Sequence, residues 1–267
     1  MQGLESFVPT ELKIAYLDAL LEVGFDAIDF GSFVSEKAVP QMRDTAEVLQ
    51  SLRPSSTPLL CIVVNDKGLE TALAHERIAY IGYPFSISET FQYRNSKKTL
   101  DESWPLVERT VKLARAAGKK SVIYVSMGFG NPYGDAWSVE ATLTAAQRMA
   151  DLGADVVSLA DTAASARPED VREIFSRTAG MAVEVGAHFH LSPDNARGML
   201  EAAWDGGCRR FDSALLGFGG CPFAQDRLVG NLDTETLLRF LEEKNAAPPL
   251  DADALNRALA VARKVFH

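Results

Sequence analysis

Short apolar runs alternate with longer amphipathic stretches along nearly the whole chain. The runs at 25–33, 57–64, 77–86, 119–129, 154–161, 181–190 and 208–216 have the length and β-rich character of buried strands. Between them, apolar residues recur at three- and four-residue spacing, which predicts helices. The first opens at Pro9-Thr10 with Thr10 as N-cap, carries Leu12, Tyr16, Ala19 and Val23 at helical spacing, and stops at Gly24. Further helices are expected over 38–51, 69–75, 138–152, 168–178, 193–204, 234–243 and 251–266. Another begins at Thr99-Leu100-Asp101-Glu102, which has the form of a capping box, and ends at Gly118; Pro105 sits awkwardly beyond its first turn.

Strands that alternate with helices imply parallel strands joined by right-handed crossovers. The strands read as continuous apolar runs, as expected when both faces are covered. Their polar residues gather at the C-terminal ends: Asp29 and Ser32, Ser126, Asp161, then His188 and His190. A β/α barrel places its chemistry there, and an open doubly wound sheet does the same at a switch point. No Gly-x-Gly-x-x-Gly stands at a strand–helix turn, which weighs against dinucleotide binding. Seven strands are expected, one fewer than a closed barrel of this type requires, and the chain opens on a helix.

Composition narrows the function. The 267 residues are 47% hydrophobic, enough for a large core. A net charge of −9 argues against a nucleic-acid or anionic-membrane partner. The run from Arg94 to Lys98 is a local basic patch that could meet a phosphate or be a solvated loop. Three cysteines without a Cys-x-x-Cys fit a reducing compartment rather than a disulfide framework. With no signal-peptide pattern and no spanning apolar run, a cytoplasmic protein is expected.

The candidate chemistry lies between residues 188 and 231. His188 and His190 stand two residues apart on one strand, so both rings can reach one point. From spacing alone, metal ligation and a structural role remain equally open. The loop Gly217-Phe218-Gly219-Gly220-Cys221 can turn tightly and bring a thiol beside a ligand, or carry a cysteine with no role. Asn231 after Gly230 reads, in isolation, as a helix N-cap feature or a turn residue. Asp161-Thr162 closes a strand where a carboxylate is commonly functional.

Several segments together resemble the hydroxymethylglutaryl-CoA lyase family, within the metal-dependent lyase and synthase superfamily of TIM barrels. They are Gly31-Ser32-Phe33-Val34-Ser35 with Val39-Pro40-Gln41-Met42, Ser158-Leu159-Ala160-Asp161-Thr162, His188-Phe189-His190, and Gly219-Gly220-Cys221-Pro222 with the later Gly230-Asn231 and Thr234-Glu235. The cysteine segment is the most specific, and the resemblance covers nearly the whole chain. It implies a TIM (β/α)8 barrel with extra C-terminal helices, as one domain over 1–267. It also implies that His188, His190 and Asn231 bind Mg or Mn, with Cys221, Asp161 and Glu235 catalytic. Asp29, Ser32, Ser126 and Asn95 would meet an acyl-CoA substrate. The implied reaction is retro-Claisen cleavage of 3-hydroxy-3-methylglutaryl-CoA to acetyl-CoA and acetoacetate, by a homodimer.

Some positions depart from the family pattern. The family's first strand ends in Arg-Asp, and Met1-Gln2-Gly3 resembles the residues just after that dipeptide. The expectation is therefore a barrel without its first strand, impaired in activity as given. Leu191 stands where the family has Asp after His-x-His, and Asp29 where it often has Glu. A Claisen-condensing synthase of the same superfamily, and a non-catalytic barrel remnant binding metal or acyl-CoA, are the alternatives.

Overall fold

A computed structural model of the chain describes residues 1–4, 6–191, 193–220 and 230–266. Among these, seven parallel strands hydrogen-bond in strict chain order and curl into an incomplete, TIM-barrel-like sheet. They are β1 (Ile28–Phe33), β2 (Leu59–Val63), β3 (Ile78–Ser86), β4 (Lys120–Ser126), β5 (Val156–Asp161), β6 (Glu184–Phe189) and β7 (Phe211–Asp212). The helices are α1 (Thr10–Leu21), α2 (Thr45–Ser51), α3 (Asp66–Leu73), α4 (Glu89–Ser96), α5 (Leu100–Ala116), α6 (Val139–Asp151), α7 (Pro168–Thr178), α8 (Pro193–Asp205), α9 (Thr234–Glu243) and α10 (Ala252–Phe266).

The sheet has two differently filled faces. Alternate strand residues such as Phe30, Val63, Ile81, Val125 and Leu159 pack with helix residues such as Leu106, Met149 and Phe175 into the main core. On the other face Leu60, Val122, Tyr124 and Val156 form a smaller cluster inside the curl. This two-residue alternation puts Ser158, Gly186, His188 and Asp212 on that inner face. A third cluster joins the ends of the chain: Tyr16 and Val23 pack with Ala254, Ala258, Ala262 and Val265 of α10.

Local chemistry decides where the sequence expectations hold. The capping box at α5 forms in both directions, Thr99 N–H to Glu102 Oε2 at 2.9 Å and Glu102 N–H to Thr99 Oγ1 at 3.2 Å. It holds although Pro105 lies inside the helix. Thr10 does not cap α1; its hydroxyl donates to Asp44 Oδ2 at 2.8 Å, and Pro9 occupies the cap position. The single helix expected over 38–51 is a 3-10 turn, Pro40–Met42, and then α2. The break follows from Gln41, which turns inward. Its Nε2 donates to Leu4 O at 3.0 Å and to Ser6 O, and Val8 N–H donates to its Oε1 at 3.1 Å. Gln41 thus fastens residues 4–8 to the rim. Beside it, buried Lys13 donates to Gln41 O and pairs with Asp44 Oδ1 at 2.7 Å.

α4 was not expected; Ser88 caps it, accepting from Phe91 N–H at 3.1 Å. Asp135, from the loop after β4, ties down the same end, accepting from Ser88 Oγ, from Thr90 N–H at 3.0 Å and from Thr90 Oγ1 at 2.9 Å. The run 208–216 is a strand only at Phe211–Asp212. Beyond it the chain enters a 3-10 turn, Leu215–Gly217, with Leu216 in the left-handed region at φ 59°.

Candidate functional site

The His pair lies at the C-terminal end of β6. Sheet register sets His188 beside Ala160 of β5 and Asp212 of β7. The His188 Nδ1 lies 3.2 Å from Asp212 Oδ2, and the same oxygen accepts from Ser158 Oγ at 2.9 Å. Tyr124 meets the His188 ring edge-on, with centroids 5.5 Å apart. His190 lies at 5.1 Å between ring centroids, tilted at 70°, and is buried. Both rings therefore occupy one corner of the inner face, as the two-residue spacing requires.

Asn231 reaches the same corner from a distant part of the chain. It pairs with His190 in an isolated antiparallel bridge, flanked by Leu191 N–H to Gly230 O at 3.0 Å and Leu232 N–H to Phe189 O at 2.9 Å. The Asn231 Nδ2 donates to Phe218 O at 3.0 Å, and among the described residues no hydrogen bond engages its carboxamide oxygen. Gly219 makes room for it: a Cβ there would stand 2.2 Å from Asn231 Nδ2. Next to this corner, a cavity of about 360 Å³ opens between Leu4, Phe218, Gly230 and Phe266.

Burial shapes the carboxylates around it. Asp29 is open to solvent on one side, yet desolvation within the curl raises its carboxyl to about 7. The Gly31 N–H, 3.3 Å away, pulls it down. Desolvation also pushes on Asp212, but the His188 hydrogen bond, the Arg210 charge and the Ser158 hydrogen bond together hold it below the ordinary carboxylate range. Asp161 is raised to about 6 by burial, against amide hydrogen bonds from Ser165 at 2.8 Å and Ala166 at 3.1 Å. Both Asp161 oxygens thus hold the loop after β5. Desolvation raises Glu235, which accepts from Leu216 N–H at 3.2 Å and so steadies the turn leading to Gly219.

The other expected residues lie around the rim. Ser32 is buried in β1, its carbonyl taking the Thr45 hydroxyl at 3.0 Å. Ser126 is buried at the end of β4, on the face of Tyr124. Asn95 sits half-buried on α4, beyond β3 and so away from β6 across the sheet. Cys221, with Pro222 and the rest of 221–229, lies outside the described residues. Asp212 was overlooked in the sequence. Its signal was an Arg210-x-Asp212 spacing, two charges on one face of an inner strand.

The donor set can be weighed for a metal. Among the described residues, no three of His, Cys, Asp and Glu gather closely enough to hold an ion. Counting the carboxamide, two imidazoles and one amide oxygen share a corner, a neutral nitrogen and oxygen set that suits a borderline divalent cation with positions open for substrate. These residues fit such an ion.

Comparison with known proteins identifies the relatives of the chain. A family profile described as HMGL-like matches residues 1–261. The hydroxymethylglutaryl-CoA lyase of Pseudomonas mevalonii is 32% identical over 250 residues, covering 91% of this chain and 81% of that protein. The mitochondrial enzyme of Bos taurus is 32% identical over 252 residues, covering 90% and 74%. Among solved structures, an HMG-CoA lyase from Acinetobacter baumannii in complex with coenzyme A and 3-methylmalate superposes at TM-score 0.91 with 30% identity, over 99% of this chain and 87% of that one. The carboxyl transferase domain of Rhizobium etli pyruvate carboxylase, at 12% identity and TM-score 0.67, covers 97% of this chain and 45% of that one and shares the fold alone. Among the described residues, no helix is long and apolar enough to cross a membrane.

Proposed function

Since the chain belongs to the HMGL-like family, we propose that it is a carbon–carbon lyase cleaving 3-hydroxy-3-methylglutaryl-CoA to acetyl-CoA and acetoacetate. The observation that most supports this reading is the meeting of His188, His190 and Asn231 at one corner of the inner face. Residue by residue, these are the positions that match the family's ligand motifs. They would hold Mg or Mn. Bound there, the ion would supply positive charge to the substrate's hydroxyl and acyl oxygens.

The chain's own residues then divide the remaining work. Cleavage removes the hydroxyl proton, breaks the carbon–carbon bond to give acetoacetate, and leaves the electron pair on the acetyl-CoA enolate, which takes up a proton. Cys221 is the donor the resemblance assigns. Asp29, with its carboxyl raised to about 7, can exchange a proton near neutrality at the open side of the site. Glu235 holds the approach to the glycine loop, and Asp161 holds the loop after β5. Ser32, Ser126 and Asn95 lie on the rim where the acyl-CoA would enter. A homodimeric assembly goes with this reading and is checked by light scattering.

The test tracks acetyl-CoA and acetoacetate from hydroxymethylglutaryl-CoA with added Mg or Mn, beside a His188→Ala/His190→Ala double variant. Metal-dependent product from the parent alone, with metal binding lost in the variant, is the expected result. Equal product from both proteins, or unchanged metal titration, would overturn the assignment.

A further inference from the structure

Asp212 has no part in the motifs that carry the family resemblance, yet on the inner face it meets Ser158, His188 and Arg210. Two neighbouring strands and the residue just before β7 supply its surroundings. Its Oδ2 accepts from Ser158 Oγ of β5 at 2.9 Å and lies 3.2 Å from the His188 Nδ1 of β6. Its Oδ1 stands 4.0 Å from Arg210 Nη2, two residues back along the chain. Arg210 also reaches Glu184 at 3.5 Å and lies across Gly186, where a Cβ would meet its Cδ at 2.7 Å. The glycine thus leaves space for the guanidinium, which balances the carboxylate. Ser158 fixes the rotation of that carboxylate, so one oxygen is aimed at one imidazole nitrogen.

We propose that Asp212 is a positioning residue that fixes the His188 ring with its hydrogen on Nδ1, leaving the Nε2 lone pair for the cation. The proposal rests on the metal reading of the His pair and adds how one ligand is prepared. A carboxylate can only accept, so a neutral imidazole beside it must carry its hydrogen on the nearer nitrogen. A neutral histidine in water favours the opposite tautomer, and would present an N–H where a lone pair is needed. Partners of this kind set ring orientation and ligand basicity, and their loss typically costs ~10–100-fold in metal affinity. The Ser158 of the Ser-Leu-Ala-Asp-Thr motif thereby gains a role: it holds the residue that holds the ligand.

The experiment compares the parent chain with Asp212→Ala, both labelled with 15N-histidine and metal-free at a pH where the rings are neutral. His188 is assigned by its absence in a His188→Ala sample. Expected is an Nδ1–H ring in the parent and a predominantly Nε2–H ring in the variant. Manganese affinity, read from the free-ion paramagnetic resonance signal, is expected to fall ~10–100-fold in the variant. A parent His188 carrying its hydrogen on Nε2 would overturn the proposal, as would unchanged affinity in a folded variant. If Asp212→Ala does not fold, the parent spectrum decides alone. If the parent binds no manganese, the metal reading falls, and the ring spectrum still decides whether Asp212 sets the tautomer.

Discussion

Replacing Gly219 by Ala tests the site through a single methyl group. Gly219 has φ 124°, and the new Cβ would lie 2.2 Å from Asn231 Nδ2 and 3.5 Å from Asn231 Cγ. The positive φ costs a non-glycine residue roughly 1–3 kcal/mol. The carboxamide is the far end of a side chain, so it can swing away, but it then loses its 3.0 Å bond to Phe218 O, a loss of about 0.5–1.5 kcal/mol. Together the substitution should destabilise the protein by about 1.5–4.5 kcal/mol. Displacing the carboxamide also removes one of three donors, and manganese affinity should drop by at least tenfold, or about 1.4 kcal/mol. The cycle with Asn231→Ala separates the two effects. With no carboxamide to evict, the methyl meets nothing else within 4 Å among the described residues beyond its chain neighbours, so Gly219→Ala should then cost only the backbone part. Urea denaturation of the four proteins should show a coupling of about 1 kcal/mol. Strictly additive costs, or a single Gly219→Ala variant that binds manganese as the parent does, would refute the geometry.

Three more perturbations have defined outcomes. Asp44→Ala leaves the buried Lys13 ammonium without its carboxylate and should cost about 3–5 kcal/mol in urea denaturation. Asp135→Ala removes three hydrogen bonds from the start of α4; a stability loss of about 1–2 kcal/mol should come with a raised KM for acyl-CoA, and an unchanged KM would separate α4 from substrate entry. Asp161 takes up a proton more readily when folded, because burial lifts its carboxyl from 3.8 to about 6. Its contribution is therefore complete below the unfolded value and fades as pH rises through about 6. Asp161→Asn should remove that decline, so that stability measured between these two values falls less steeply with pH than in the parent.

What could be read in the sequence was whatever rests on local periodicity. Helices α7 and α9 fall on the residues expected, since Pro168 and Thr234 open them and amphipathic spacing carries them. His188 and His190 face one corner because a strand repeats every two residues. The approach of Asn231 was legible only through family resemblance, since it depends on a bridge to His190, far back along the chain. Gln41 broke an expected helix for the same reason: its partners Leu4, Ser6 and Val8 lie 33 or more residues away in sequence. Asp212 carries no signal in the local pattern beyond its spacing from Arg210, and only register beside His188 and the bond from Ser158 give it meaning.

The union of α1 with α10 has a consequence for how the protein is made. Tyr16 packs edge-on against Phe266 at 5.7 Å, and Asp251 N–H donates to Val23 O at 2.9 Å. Strands β1 to β7 can pair one after another as the nascent chain leaves the ribosome, because each neighbours its predecessor. The apolar side of α1 has to wait through all of this for α10 to be translated. Phe266 also stacks on Phe218, 4.7 Å away, beside the glycine turn. The reactive corner thus waits for α10, and a product released before residue 252 would emerge with α1 uncovered and its glycine turn unsupported.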